Sequence, residues 1–450
     1  MTIKVSSNTA AYGSLIGCLF LYGFIAYGLQ RTDFVALAAC FVLLFFFSCQ
    51  IIRNQKNNFA FLIGVSIVFR LIFAFSLPHL SQDFYRFIWD GRLILEGINP
   101  YINLPKDLMT NPNFHLPQAA ELFNGMGDLS ASHFSNYPPI NQLFFVIAGI
   151  FSNNSILGSA MVLRFILILA DLGTLHFGQK LLLNLGLEPH RIFWYILNPL
   201  VIIELTGNLH FEGVMLFFLV WSMYLLHQNQ WKYASVILAL SIATKLLPLL
   251  LLPLFYQKLG FKKSFAFYTI VIGTNLILFV PFLSDKLIEN YSGTIGLWFT
   301  NFEFNASLYY LLRSIGYYFT GYNIIQTTGI ITPILIMLFV VNRALKGSNK
   351  TTLALLQNFL IVLSTYFFVS TTVHPWYISN LVLIAIFTKF KFPFVWSLAV
   401  ILSYAAYSNP NFNENLWPIA LEYGFVFTAL LFELEIIPKL SFFDTLKKGK

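Results

Sequence analysis

Charge is what this sequence has least of. Of 450 residues only 10% are Asp, Glu, Lys or Arg, where a soluble chain of this length carries about 25%. Such a chain cannot hide its apolar residues in a globular core. With 57% hydrophobic residues, 50 Phe and a mean hydropathy of +0.71, its solvent is lipid. Cysteine is scarce too. Cys18, Cys40 and Cys49 all sit inside apolar runs, which excludes a disulfide framework or a cysteine metal site. "LIGC" at Leu15–Cys18 resembles a lipoprotein cleavage site. The segment before it is polar and the apolar run continues past it, so an uncleaved first helix is expected. No GxxxxGK[ST] or GxGxxG phosphate loop, HExxH or serine elbow occurs, which leaves ATP use and standard hydrolase chemistry without support. The net charge of +8 is no nucleic-acid signal, because the Lys and Arg fall in small groups between apolar runs.

What is there is a succession of apolar windows, each near the ~20 residues a bilayer requires. They fall at 11–29, 34–52, 59–78, 137–152, 156–184, 191–207, 211–227, 231–256, 265–283, 323–342, 352–373, 376–388, 392–408 and 416–435. The expectation is an all-α polytopic bundle of about 11–14 membrane helices. One integral-membrane domain spans 1–450, with a module at 57–283 and variable helices at 284–450. Basic groups at Arg53/Lys56, Lys258/Lys262/Lys263, Arg343/Lys346/Lys350, Lys389/Lys391 and Lys439 to Lys450 mark the inner side. The N-terminus is then inside. Outside lie the segment 79–136, the loop from Ser284 to Tyr322, "HPW" at His374 and "NPNFNEN" after Ser408. Between 137 and 256 two arrangements are open. Either every run crosses once, or two runs are broken pairs, at Asp171–Gly173 and at Lys245–Pro248, where Pro248 and Pro253 interrupt the helix. The second is preferred, because it puts Lys180, Arg191 and Lys232 inside and "HFEG" (His210–Gly213) outside.

Charges in such a chain need a reason. "SQDFYRFIWDGRLILEGINPY" (Ser81–Tyr101) holds two Asp, two Arg and a Glu. On a surface helix over 82–96, Asp83, Arg86 and Asp90 share one face, and Phe84, Phe87, Ile88 and Leu95 form a stripe on another. An amphipathic helix in the membrane interface is predicted, with a second surface helix near 117–123. "NYPPINQLF" opens a helix at Pro138–Pro139. Lys245 lies among apolar residues and needs a cavity or a partner, Glu204 or Asp171. Arg164 and Asp171 are spaced as an ion pair. His374 and Trp376 fit either a site or an interfacial aromatic belt.

Taken in order, "SQDFYRFIWDGR…GINPY", "YPP", "HFEG", "KLLPLLLLP", "FNASLYYLL" and "HPWY" resemble the GT-C superfamily of integral-membrane glycosyltransferases. The closest resemblance is to bacterial polyprenyl-phosphate-mannose-dependent mannosyltransferases, over roughly 60–380. It implies an enzyme moving a hexose, mannose by inheritance, from a polyprenyl-phosphate sugar to an acceptor hydroxyl. The acceptor is lipid- or glycan-linked, and the active site faces the periplasm from a bacterial inner membrane. Asp83 is the expected general base, with Asp90 as a second catalytic carboxylate. Arg86, Arg92 and Lys245 are expected at the donor phosphate, and Tyr85, Tyr137, His210, Glu212, Asn305, His374 and Trp376 at the substrates. Some relatives pair two acidic residues where Gln82 precedes Asp83. One carboxylate makes a poor magnesium site, so neither a metal nor a cofactor is expected. The competing class, a flippase of lipid-linked sugars, would need the cationic site but no base, and the internal repeats usual in transporters are not visible.

Overall fold

A computed structural model describes residues 7–409 and 412–436. The basic tail from Lys439 to Lys450, and Pro410 and Asn411 of "NPNFNEN", lie outside the described residues. The first hairpin is α1 (Ser7–Tyr27) and α2 (Phe34–Gln55), followed by α3 (Phe59–Leu71). A cap follows with α4 (Asp83–Leu95), α5 (Pro105–Thr110) and α6 (Ala119–Ala131). The middle comprises α7 (Pro139–Phe151), α8 (Ile156–Asn184), α9 (Phe193–Ile196), a π-helix at Val201–Gly207, α10 (Glu212–His227) and α11 (Trp231–Thr244). The C-terminal part holds α12 (Tyr256–Phe279), α13 (Leu287–Thr300), α14 (Leu308–Thr320), α15 (Ile325–Lys346), α16 (Thr352–Val369), α17 (Ile378–Ala385), α18 (Phe392–Ala399) and α19 (Leu416–Glu433).

Seven helical stretches among the described residues are long and apolar enough to span a membrane, and a bent pair raises this to eight. Five shorter apolar helices accompany them. The outward faces show why lipid is the solvent: Phe20, Leu276, Ile288, Tyr318 and Phe319 are all more than 60% exposed, which water would penalise. This is a multi-pass membrane protein.

The middle segment departs from the expectation at one break and meets it at the other. α8 runs unbroken through Asp171–Gly173 for 29 residues, roughly 44 Å at helical rise. Nothing in "ILADLGTL" removes a backbone donor, so charge alone is a poor reason to break it. The chain does break after Thr244, where Lys245 is extended (φ −147°) and a 3₁₀ stretch over Leu247–Phe255 carries both prolines. A further break falls where the apolar runs at 191–207 and 211–227 part: the π-helix and α10 meet at 110°, with Leu209 in the left-handed region (φ 64°). It is this bend that delivers "HFEG". The loop expected over 284–322 is largely helical, as α13 and α14.

The helix expected over 82–96 is α4, but it does not lie free in the interface. Residues Phe84 and Arg86 through Leu93 are buried. Its apolar stripe joins Leu122, Met126, Phe145, Leu163 and Phe211 in a core separate from that of the main bundle. Phe87 stacks on Phe145 at 4.7 Å and meets Tyr137 edge-on at 5.0 Å. α4 can come this close to α7 because Gly91 lacks a side chain: a Cβ there would stand 2.2 Å from the carbonyl oxygen of Phe145. Backbone cannot yield as a side chain does. Gly91→Ala is therefore expected to cost about 1–3 kcal/mol by overpacking, read as a lowered Tm of the purified protein. An unchanged Tm would show that α4 and α7 can separate freely.

Candidate active site

Above this core lies a cavity of about 640 Å³. Its wall draws on parts of the chain far apart in sequence: the α1–α2 turn (Arg31), the start of α4 (Gln82, Asp83, Arg86), the kinked α6 (Gly127, Asp128, Ser130), the run from His133 to Tyr137, the end of α13 (Trp298), Phe302–Phe304, His374, Trp376, Tyr407 and Phe412. Gly127 sits at φ 73° inside α6, a conformation glycine adopts without steric cost. Its amide-flanked bend forms part of the wall. Phe304 pairs with Thr372 in an isolated parallel bridge, with Val373 N–H donating to Phe304 O at 2.8 Å. That bridge brings Glu303 and His374 to the same rim.

Asp83 is the carboxylate on the floor. It is the first residue of α4, with its side chain 39% exposed into the cavity. Burial pushes its carboxyl up to about 6, with Lys245 and Arg31 pulling it down and Glu212 pushing it further up. Below it His210 lies flat against Trp376, ring centroids 3.6 Å apart. Trp376 stacks in turn on His374 at 4.4 Å, and His374 on Phe304 at 5.1 Å. His210 Nδ1 is 4.0 Å from Asp83 Oδ2 and its Nε2 3.6 Å from Glu204 Oε2. Both contacts are longer than a hydrogen bond. Glu204 is fixed by the Tyr404 hydroxyl at 2.6 Å and Asn208 Nδ2 at 3.0 Å. Burial, and secondarily Lys245, holds His374 down at about 3, so its imidazole is neutral at ordinary pH.

The residues singled out from sequence separate into two groups. Asp83, Arg86, Tyr137, His374 and Trp376 line the cavity, and His210 supports it from beneath. The others do not reach it. Asp90 is wholly buried, held by Arg86 Nε at 2.7 Å and Gln142 Nε2 at 3.3 Å. It lies two turns along α4 from Asp83, below the depth the cavity reaches. Arg92 points to the other side, donating to Pro117 O at 2.5 Å and Gln118 Oε1 at 3.2 Å. Tyr85 packs on Phe84 at 4.1 Å and over Gly125. Asn305 is buried, with Nδ2 donating to Glu422 at 3.1 Å and to Val373 O at 3.4 Å. Lys245 pairs with Glu212, not with Glu204 or Asp171. That pair spans the breaks before α10 and after α11 and acts on the cavity through its field on Asp83. Arg164 does not pair with Asp171. It donates to the carbonyls of Thr206, Ala74 and Gly207, tying down the π-helix. Asp171 belongs to Arg70.

Sequence reasoning missed Arg31, Asp128, Glu303 and Tyr407. Arg31 carried a signal: a basic residue in a short turn on the side where basic residues are scarce. Glu303 is held by Tyr309 (2.6 Å), Asn323 and Arg313, and it stands two residues before Asn305 in the sequence.

A polytopic helical membrane protein with this cavity, built over an aspartate at the start of a helix that follows the first three, has the layout of the GT-C superfamily of integral-membrane glycosyltransferases. Comparison with known proteins gives the particular family. Residues 24–258 match the family described as alpha-(1->6)-mannopyranosyltransferase, N-terminal domain, and since that span is just over half of the chain, the chain belongs to it. Alpha-(1->6)-mannopyranosyltransferase A of Mycobacterium tuberculosis is 24% identical over 198 residues, covering 44% of this chain and 36% of the relative. Alpha-(1->6)-mannopyranosyltransferase B of Corynebacterium glutamicum is 26% identical over 149 residues, covering 32% of this chain and 23% of the relative. The matched segments thus span about a third or less of these relatives' own length.

Proposed function

We propose that the protein is a membrane glycosyltransferase that moves mannose from a polyprenyl-phosphate sugar to a hydroxyl of a lipid- or glycan-linked acceptor. The cavity opens on the outer, periplasmic side of the membrane. The observation that carries this reading is Asp83: a carboxylate lifted to about 6, on the floor of a cavity walled by stacked aromatic rings. A base whose pKa lies near working pH is half ionised where it must act. The aromatic faces suit the apolar face of a sugar ring.

In this reading the ionised Asp83 takes the proton of the acceptor hydroxyl as its oxygen bonds to the anomeric carbon. The bond from that carbon to the phosphate oxygen breaks, and the electron pair leaves with the lipid phosphate. One displacement inverts the anomeric carbon. The role expected of His210 changes: stacked beneath Trp376 and set between Asp83 and Glu204, it orients the base instead of touching sugar. Tyr137, His374 and Trp376 remain the residues proposed to contact substrate. Arg86 lines the cavity but gives its guanidinium to Asp90 and to the carbonyls of Ser130 and His133, so in this reading it braces the floor and the place expected for it at the donor phosphate is not kept. The same reading keeps the base within the proposed module 57–283, while 284–450 supplies His374 and Trp376 to the cavity wall.

The experiment is transfer of label from polyprenyl-phosphate mannose to a lipid and glycan acceptor pool, by the purified protein in nanodiscs. Only the ionised Asp83 accepts a proton, so kcat/KM should rise about tenfold per pH unit below about 6 and level off above it. A rate that stays flat down to pH values well below about 6 would remove Asp83 from that role. An absence of transfer with mannose, but not with another hexose on the same lipid, would change the sugar and leave the class.

A further inference from the structure

A departing phosphate needs a preorganised cation, yet the cations expected at the donor are already engaged. Arg86 gives Nε to Asp90 and Nη1 to the carbonyls of Ser130 and His133 at 2.6 and 2.9 Å, so its charge is offset by a wholly buried carboxylate. Lys245 is paired with Glu212. Arg92 lies on the far side of α4. At the rim Arg313 belongs to Glu303. Apart from Asp83 and Glu303 the remaining carboxylate on the wall is Asp128, from α6, and the imidazoles of His133 and His374 also line it.

Arg31 is different. It stands in the turn between α1 and α2 and lines the cavity. Its guanidinium lies over Tyr407 at 4.8 Å and over Phe412 at 5.3 Å. Among the described residues it makes no ion pair and no hydrogen bond. Two aromatic faces hold a guanidinium in place by its plane and leave the in-plane donors free. Those donors form the fork that matches phosphate oxygens two at a time. The first hairpin, which the chain carries ahead of the outer-segment helix, thereby contributes a charge to a site built mostly from later segments.

We propose that Arg31 is the phosphate-binding cation of the cavity, gripping the phosphate of a polyprenyl-phosphate substrate and of the polyprenyl phosphate left after transfer. The proposal rests on the glycosyltransferase reading for its ligand. It is independent of Asp83 as base.

Binding of farnesyl phosphate, farnesol and inorganic phosphate to the full-length protein tests it by isothermal titration, on wild type, Arg31→Gln and Arg31→Lys. Wild type should bind farnesyl phosphate far better than farnesol. Arg31→Gln should weaken farnesyl phosphate by about tenfold to a hundredfold, the worth of a charged hydrogen-bonded contact. Its affinity for farnesol, unchanged, shows that the variant is folded. Arg31→Lys should recover part of the loss, because the charge returns without the fork. Equal binding of farnesyl phosphate by wild type and Arg31→Gln would overturn the assignment while the donor reading stands. A wild type that does not distinguish farnesyl phosphate from farnesol would overturn the donor reading, and this inference with it. Displacement of farnesyl phosphate by millimolar inorganic phosphate would make the site one for the free anion and overturn the lipid-linked assignment.

Discussion

Asp83→Asn is expected to lower kcat for sugar transfer by about 10²- to 10⁴-fold, the range for loss of a positioned general base, while binding of farnesyl phosphate and the Tm hold. The physical ground is that Asn has nearly the same shape but accepts no proton. Asp83 is partly open to the cavity and makes no side-chain hydrogen bond to a described residue, so the substitution leaves no buried group stranded. His210 loses a carboxylate 4.0 Å away but keeps its stack on Trp376. The measurement is single-turnover transfer with saturating donor, which separates chemistry from binding. Transfer at the wild-type rate would sink the base assignment. The neighbouring acid, Asp90, is no substitute: with Arg86 and Gln142 upon it, its replacement should lower Tm before it touches chemistry. A protein that binds farnesyl phosphate but whose transfer is nil in wild type as in Asp83→Asn would turn the reading toward a flippase.

Asp171→Ala is expected to be the most destabilising single change, about 3–5 kcal/mol. Arg70 Nε meets Asp171 Oδ2 at 2.6 Å, and both side chains are nearly inaccessible (2% and 3%). Arg70 also donates to Ser66 O at 3.0 Å, but its Nη2 and Asp171 Oδ1 have no further partner. Removing one carboxylate would strand a cation between α3 and α8 at membrane depth, where an unpaired charge is expensive. The pair itself is worth little against a well-packed apolar replacement. The double variant Arg70→Met, Asp171→Leu should therefore recover most of the loss. Thermal unfolding in one detergent across the three proteins checks both statements. A double variant as unstable as Asp171→Ala would mean that the pair fixes helix position rather than only satisfying its own charges.

How much of this was legible beforehand depends on the range of the interaction. Hydropathy gave the membrane class, because about 20 apolar residues in a row leave a chain no other solvent. The helix read over 82–96 is α4, Asp83–Leu95, since the Asp83, Arg86 and Asp90 spacing is local and the Arg86–Asp90 contact is an i, i+4 pair. Pro248 and Pro253 placed the break after Thr244, because a missing donor acts within one turn. Each of these is decided within a few residues, and the sequence states them directly.

Partners across the chain were not legible. Lys245 had Glu204 and Asp171 as equals on paper, and packing gave it Glu212. Asp171 had Arg164 seven residues away on its own helix, yet it pairs with Arg70, 101 positions distant. Residues seven apart lie on one face but two turns, roughly 10 Å, apart along it. A neighbouring helix brings a side chain far closer. The 110° bend that aims His210 at Asp83 carries neither proline nor glycine at Leu209, and its strained φ is held by the packing around it. Arg31 shows the same division. Its charge was plain in the sequence, but its place in the cavity depended on Tyr407 and Phe412, more than 370 residues further along. What the sequence determined by itself is which residues enter lipid and which few charges stay out of it. Which of those charges meet was decided only when the helices packed, because an ion pair is chosen by distance in space and not along the chain.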